Sequence, residues 1–413
     1  MKRAICLSGG GGKGAYQIGV WKALRKLRIK YDIITGTSVG ALNGALMTQN
    51  TYYRSVNLWK NMNFNLIFES PLKEEYTLYD VLKMYGKSIL ETGGMDVTNL
   101  ETLITKTINE KKIISSPIDF GIMTVNLSTR KPLAIKKNDI DPILLKDYLM
   151  ASATCFPAFK IKKIKEESYV DGGYFDNVPI NLAIEMGAEE VIAVDLGGME
   201  IKRKVKNDKI PIIYIKPQND IGNFLVFDKE LSNRNIKYGY NDTMKVFHKL
   251  EGNRLTFKNN SINKLCKTFS IRTYEILKDG LNNNDDSIIS DIVTVSIYRR
   301  FLKKETREVA FEEILEHLSV NLNVDETKIY NSYTIKKEIL HRANTFKEDK
   351  DIKKLIKNLD IESLFNTASI ILYIEKQFSI KLSTKTKKEL RHLATLFPKE
   401  YLDAALLYAL RGN

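Results

Sequence analysis

Over roughly its first 250 residues the chain alternates short apolar runs with stretches of helical period, and this rhythm narrows the fold more than any other feature. An apolar run at 5–7 is followed by a helical pattern over 13–27, with Ile18, Trp21, Leu24 and Leu27 on one face. A second run at 31–35 precedes a small-residue helical stretch over 38–49. Further strands are expected at 120–125, 133–135, 168–170, 191–195 and 210–215, and helices at 146–152 and 179–186. Parallel neighbours need a crossover, usually a helix, so this order predicts an α/β fold with a mostly parallel sheet flanked by helices. Residues 58–109 are mainly helical and interrupt the rhythm, which reads as an insertion or lid. Beyond 250 few strand candidates remain, and helical periods rich in Lys, Glu, Asn and Leu dominate. The expected organisation is a domain over 1–250 and an all-helical C-terminal domain over 251–413, with the polar segment 280–286 between two of its helices.

Composition excludes several classes. With 43% hydrophobic and 28% charged residues the chain is neither disordered nor collagen-like. Its three cysteines, Cys6, Cys155 and Cys266, lie far apart without CxxC spacing, so no disulfide framework and no cysteine-built zinc site are expected. No apolar run reaches the roughly 18 residues of a membrane-crossing helix. The stretch after Met1, Lys2 and Arg3 is too short for a signal-peptide core. A cytoplasmic protein is expected. The net charge of +14 favours an anionic partner, whether nucleic acid, phospholipid headgroups or an acidic protein, with local clusters at 160–163 and 202–206. Charge alone chooses none of these, and a lysine-rich solvated surface gives the same count.

Three short motifs carry chemistry. Ser8-Gly9-Gly10-Gly11-Gly12-Lys13-Gly14-Ala15 lies between a strand and a helix. Glycines there admit backbone angles and approaches that side chains forbid, and a helix N-terminus offers unpaired N–H groups. Such a turn holds either a phosphate or the oxyanion of an acyl-transfer intermediate. Gly9, Gly11 and Gly14 also match the dinucleotide fingerprint, with Asp32 near the position of a ribose-binding acid. Lys13 is followed by Gly14 rather than Ser or Thr, so the P-loop pattern fails. The second motif, Gly36-Thr37-Ser38-Val39-Gly40, is a G-x-S-x-G between a strand and a helix, the setting of a nucleophile elbow.

A nucleophilic serine needs a base within hydrogen-bond reach. The only histidines, His248, His317, His341 and His392, lie at or beyond the end of the α/β region. Some other base must then serve, a carboxylate is the natural choice, and Asp171-Gly172-Gly173 follows the short run at 168–170. A Ser38–Asp171 dyad is chemically adequate, although an isolated Asp-Gly-Gly is also a common turn.

In this order and spacing, residues 8–15, 36–40 and 171–173 resemble the motif blocks of the patatin-like phospholipase family. So do the segment 150–159 and the run from Asp171 to Pro179 with 191–195, and the likeness covers roughly residues 1–250. This resemblance implies a Ser-Asp dyad hydrolase of fatty-acyl esters, with Ser38 as nucleophile and Asp171 as general base. Gly9, Gly10, Gly11 and Gly14 would form the oxyanion turn, with Lys13 at the family's usual basic position and Gly36, Gly40, Gly172 and Gly173 flanking the reacting groups. The extra glycine, Gly12, leaves the choice of donating amides open by one residue. No cofactor and no metal are implied. The implied partners are a phospholipid or other acyl-ester substrate and a transiently contacted, anionic membrane surface, without nucleic acid. Acyl transfer or neutral acylglycerol hydrolysis at the same site, and a non-catalytic lipid- or nucleotide-binding role, are the alternatives.

Overall fold

The computed structural model describes residues 1–69, 78–197, 201–281, 300–301, 303, 305–346, 367–380 and 384–412. These fall into two compact units, Met1–Phe247 and His248–Asn413. In chain order the first unit runs β1 (Arg3–Leu7), α1 (Ala15–Lys26), β2 (Ile33–Thr37), α2 (Val39–Thr48), α3 (Tyr52–Lys60), α4 (Leu78–Thr92), α5 (Thr98–Thr107) and α6 (Glu110–Ile114). It continues with β3 (Asp119–Asn126), β4 (Lys131–Lys136), α7 (Leu145–Ser152), β5 (Lys162–Ile164), β6 (Glu167–Asp171), α8 (Ile180–Glu185), β7 (Glu190–Val194), β8 (Ile212–Ile215) and α9 (Lys229–Val246).

Eight strands form one sheet in the order β5-β6-β3-β2-β1-β7-β8, with β4 paired to β3. The five strands from β3 to β8 along that path pair in parallel, whereas β4, β5 and β6 join antiparallel at one side. The central strands are apolar on both faces because both are covered. Ile5, Leu7, Ile34, Ile192 and Val194 enter a core with α1 and α2, while Ala4, Cys6, Ile33, Val191 and Ala193 enter a second core with α8. This is the mostly parallel, helix-flanked sheet that the alternation predicts.

Two details differ from the sequence reading. The second strand extends to Thr37 rather than ending at 35, so the chain leaves the sheet directly at Ser38. Strand β5 falls in a lysine-rich segment that reads as a surface cluster; its pairing with β6, not its composition, makes it a strand. Helix α9 lies across α1 where glycines allow backbone contact. A Cβ on Gly19 would stand 2.1 Å from the Ile236 carbonyl oxygen, and one on Gly239 would stand 2.0 Å from that of Tyr16.

The second unit is mainly helical, as its texture indicates. Its core draws on helices Ser261–Leu281, Arg307–Asn321, Ser332–Thr345, Thr367–Phe378 and Pro398–Arg411. It also holds a three-stranded sheet of Leu250–Glu251, Thr256–Lys258 and Ile329–Tyr330, whose strands are too short for periodicity to reveal. Of the polar segment 280–286, residues 282–286 lie outside the described residues. All four histidines belong to this unit; His317 Nδ1 lies 2.5 Å from the buried Asp403 carboxylate, which raises the imidazole pKa. No helix among the described residues is long and apolar enough to cross a membrane.

Candidate active site

Ser38 turns the chain from β2 into α2 with φ +55° and ψ −127°. A non-glycine residue held there carries roughly 1–3 kcal/mol of strain, so its surroundings must fix it. Flanking glycines make the turn sterically feasible: a Cβ on Gly36 would stand 2.4 Å from the Gly40 carbonyl oxygen, and one on Gly40 would stand 2.2 Å from that of Leu7. The Ser38 N–H donates to Ser152 Oγ at 2.9 Å, and that hydroxyl donates to the Met123 carbonyl at 2.7 Å. The Ser38 side chain makes no helix-capping bond and is half-buried.

The glycine turn follows β1, the parallel neighbour of β2, so the two loops leave the same end of the sheet. Gly10 and Gly11 adopt φ values of +149° and +51°. Most amides here are engaged. Gly9 N–H donates to the backbone and side-chain oxygens of Asn177, Gly12 N–H to the Phe224 carbonyl, and Lys13 N–H to that of Gly10. Among the described residues the Gly10 and Gly11 N–H groups form no hydrogen bond. The turn rests on the serine: a Cβ on Gly9 would stand 3.1 Å from Ser38 Cβ.

Asp171 is the last residue of β6, opposite Thr124 of β3, while Thr37 of β2 lies opposite Met123. The register therefore brings the aspartate and the serine to one end of the sheet, separated by a single strand. Asp171 is buried, and its Oδ1 accepts the Gly173 N–H at 2.7 Å. Gly172 lets this turn lie against the sheet, because a Cβ there would stand 2.2 Å from the Met123 carbonyl oxygen and 3.0 Å from Thr37 Cγ2.

These groups share the wall of one cavity of about 550 Å³. Gly9, Gly10, Gly11, Lys13, Ser38, Asp171 and Gly173 line it, whereas Gly14, Gly36, Gly40 and Gly172 shape the turns behind. The rest of the wall is overwhelmingly apolar. Val39, Leu42 and Leu46 project along one face of α2, Leu100, Leu103 and Ile104 come from α5, and Trp59, Phe159 and Phe227 complete it. Such a wall accommodates an alkyl chain beside a small polar centre. Among the described residues no three His, Cys, Asp or Glu side chains gather as a metal site.

Asp32 is placed differently from the dinucleotide reading. Ala4 pairs with Ile33, so Asp32 sits at the N-terminal ends of the strands, where its carboxylate accepts the Arg3 N–H at 3.0 Å. A ribose-binding acid needs the opposite end, beside the glycine turn.

Several bracing residues carry no sequence signal of their own. Gln17 Nε2 donates to the Ser8 carbonyl, Asn43 Nδ2 donates to Gln17 Oε1 and to the Gly14 carbonyl, and Trp59 Nε1 donates to Asn43 Oδ1. This buried relay ties α1, α2 and α3 to the glycine turn. Ser152 and Asn177 lie inside the segments that carry the family resemblance, yet nothing local in those segments reveals their partners.

Asp176 gives a measurable signature beside the site. Burial pushes its carboxyl from 3.8 to about 6, against the opposing effect of backbone N–H groups of Arg203 and Val178. The folded pKa is raised, so the folded chain keeps a proton that the unfolded chain has lost, and stability falls as pH rises through about 4 to 6. Asp176→Asn is expected to remove that slope and raise stability at neutral pH by up to roughly 3 kcal/mol. Urea unfolding of both proteins at about pH 4 and about pH 7 checks it; parallel shifts at both would exclude this titration.

The family model described as Patatin-like phospholipase matches residues 5–184. Lysophospholipase nte1 of Aspergillus terreus is 29% identical over 203 residues, which cover 48% of this chain and 12% of that protein. Patatin-like phospholipase domain-containing protein 7 of Rattus norvegicus is 26% identical over 204 residues, covering 48% of this chain and 14% of that protein. The match thus spans only a small part of these relatives' length. The crystal structure of VipD from Legionella pneumophila aligns over 97% of this chain and 91% of its own at 15% identity, with a TM-score of 0.38. Over residues 5–184, this chain is similar to the patatin-like phospholipase family.

Proposed function

We propose that the first unit hydrolyses fatty-acyl esters of phospholipids or related lipids through an acyl-serine intermediate. One observation carries this reading: Ser38, Asp171 and the two unengaged amides of Gly10 and Gly11 converge on the wall of a single apolar cavity. Asp171 accepts the Ser38 proton as Oγ attacks the ester carbonyl, and the Gly10 and Gly11 N–H groups receive the developing oxyanion. The alkoxide leaves with that proton, and the acyl group stays on Ser38. Water, deprotonated by Asp171, then attacks the acyl-serine, and the fatty acid departs as the proton returns to Ser38. The apolar wall takes the acyl chain, while Lys13 adds positive potential near the developing charge. In this reading the protein acts in the cytoplasm and meets its bilayer substrate transiently, as a peripheral enzyme.

A fluorophosphonate probe tests the reading directly. The expected result is stoichiometric labelling of wild type within the peptide that contains Ser38 and none of Ser38→Ala. Labelling elsewhere, or equal labelling of the variant, would overturn it.

A further inference from the structure

We infer that α4 is an interfacial helix that docks this unit on a phospholipid bilayer through a bare apolar stripe. The inference rests on the acyl-ester reading of the cavity. At 3.6 residues per turn, Tyr79, Leu82, Gly86, Ile89 and Leu90 fall within roughly 100° of arc. Their large side chains face solvent: Tyr79 is 73% exposed, Leu82 52%, Ile89 38% and Leu90 89%. Single exposed apolar residues are ordinary, but four on one helical stripe mark a contact surface.

A buried residue flanking the stripe, on the Ile89 side, seats α4 on the cavity wall. Tyr85 is buried, and its ring meets Phe68 edge-on with centroids 6.1 Å apart. Phe68 in turn meets Phe159 at 5.5 Å and Phe227 at 5.8 Å, and both of these line the cavity. Just past the helix, the Met95 N–H donates to the Ala158 carbonyl at 2.8 Å, fastening it to the segment that carries Cys155 and Phe159. Whatever the stripe contacts is therefore brought against the wall that receives the acyl chain.

The chemistry of the stripe favours lipid over protein. Its side chains are three aliphatic groups and one tyrosine, whose ring suits the boundary between acyl chains and headgroups. Lys83 and Lys87, both exposed, lie together along one edge, with Asp80 and Glu91 farther round. Long lysine stems cover apolar surface while their ammonium groups reach outward, so these two meet phosphates when the stripe is immersed.

The test uses the full chain with phosphatidylcholine vesicles, with and without phosphatidylglycerol. Wild type is expected to co-sediment, and Leu82→Glu/Leu90→Glu to lose partitioning on the order of tenfold or more, because charges cannot enter the acyl region. Neither leucine lines the cavity, so the double variant should cleave a water-soluble short-chain ester at the wild-type rate. Separately, Leu90→Trp should show a blue-shifted emission on vesicles, quenched by brominated acyl chains. Undiminished partitioning of the double variant, or an indole that stays in water on bound vesicles, would overturn the inference. So would a stripe buried in a dimer or in a complex with another protein. Absence of soluble-ester cleavage by wild type sinks the catalytic reading instead, leaving the vesicle result to judge the helix.

Discussion

Ser38→Ala is expected to abolish fatty-acid release from mixed micelles, a loss of at least about 10⁴-fold in kcat, with the fold intact. The alanine keeps the backbone and its donation to Ser152 Oγ and removes only the attacking oxygen. Asp171→Asn should approach the same loss, because an amide still accepts the Gly173 N–H through Oδ1 but takes no proton from serine. A third variant separates chemistry from folding. Ser38→Gly relieves the left-handed strain and should raise stability by roughly 1 kcal/mol while remaining inactive. Thermal melts beside micelle assays read both effects. Retained hydrolysis by Ser38→Ala would remove this serine from the mechanism.

Gly11→Ala is the second large effect, and it acts without touching Ser38 or Asp171. At φ +51° an added Cβ would stand 2.2 Å from the Phe224 carbonyl oxygen, the same atom that accepts the Gly12 N–H. The turn must move away from Phe224, and the Gly10 and Gly11 amides move with it. Loss of one oxyanion donor costs about 3–4 kcal/mol of barrier, so kcat should fall by about 10²–10³-fold, with some loss of stability. Gly93→Ala is the control. Gly93 also has a positive φ, +71°, but nothing lies within 4 Å of a Cβ placed there. It should lose at most about 1 kcal/mol of stability and no activity. Equal kcat values for the two variants would show that these amides do not serve the reaction.

Much of this arrangement is legible in the linear order. A strand, a glycine turn and a helix, followed by a strand, G-x-S-x-G and a helix, leave two loops at one end of adjacent parallel strands, and β1 with β2 are so arranged. The strand before Asp171 is readable too, but its antiparallel pairing with β3 is not, because register depends on a partner more than forty residues away. The same limit hides Ser152, Asn177 and the Phe224 carbonyl, each of which acts on a backbone group more than a hundred residues distant. Asp32 shows the reverse case. Its spacing from the glycines suits a ribose-binding acid, yet spacing along a chain does not say at which end of a strand a residue stands.

The contact between the glycine turn and Phe224 has a practical consequence for cutting the chain. A fragment stopped at 184, where the family match ends, keeps the glycine turn, the G-x-S-x-G segment and Asp171-Gly172-Gly173. It also discards β7, β8, Phe224 and α9, so β1 acquires a raw edge, Gly12 loses its acceptor, and α1 a backbone-tight neighbour. Such a remnant would stick to itself through that edge rather than turn over substrate. A version cut near Phe247, where the first compact unit ends, is expected to keep all of these contacts.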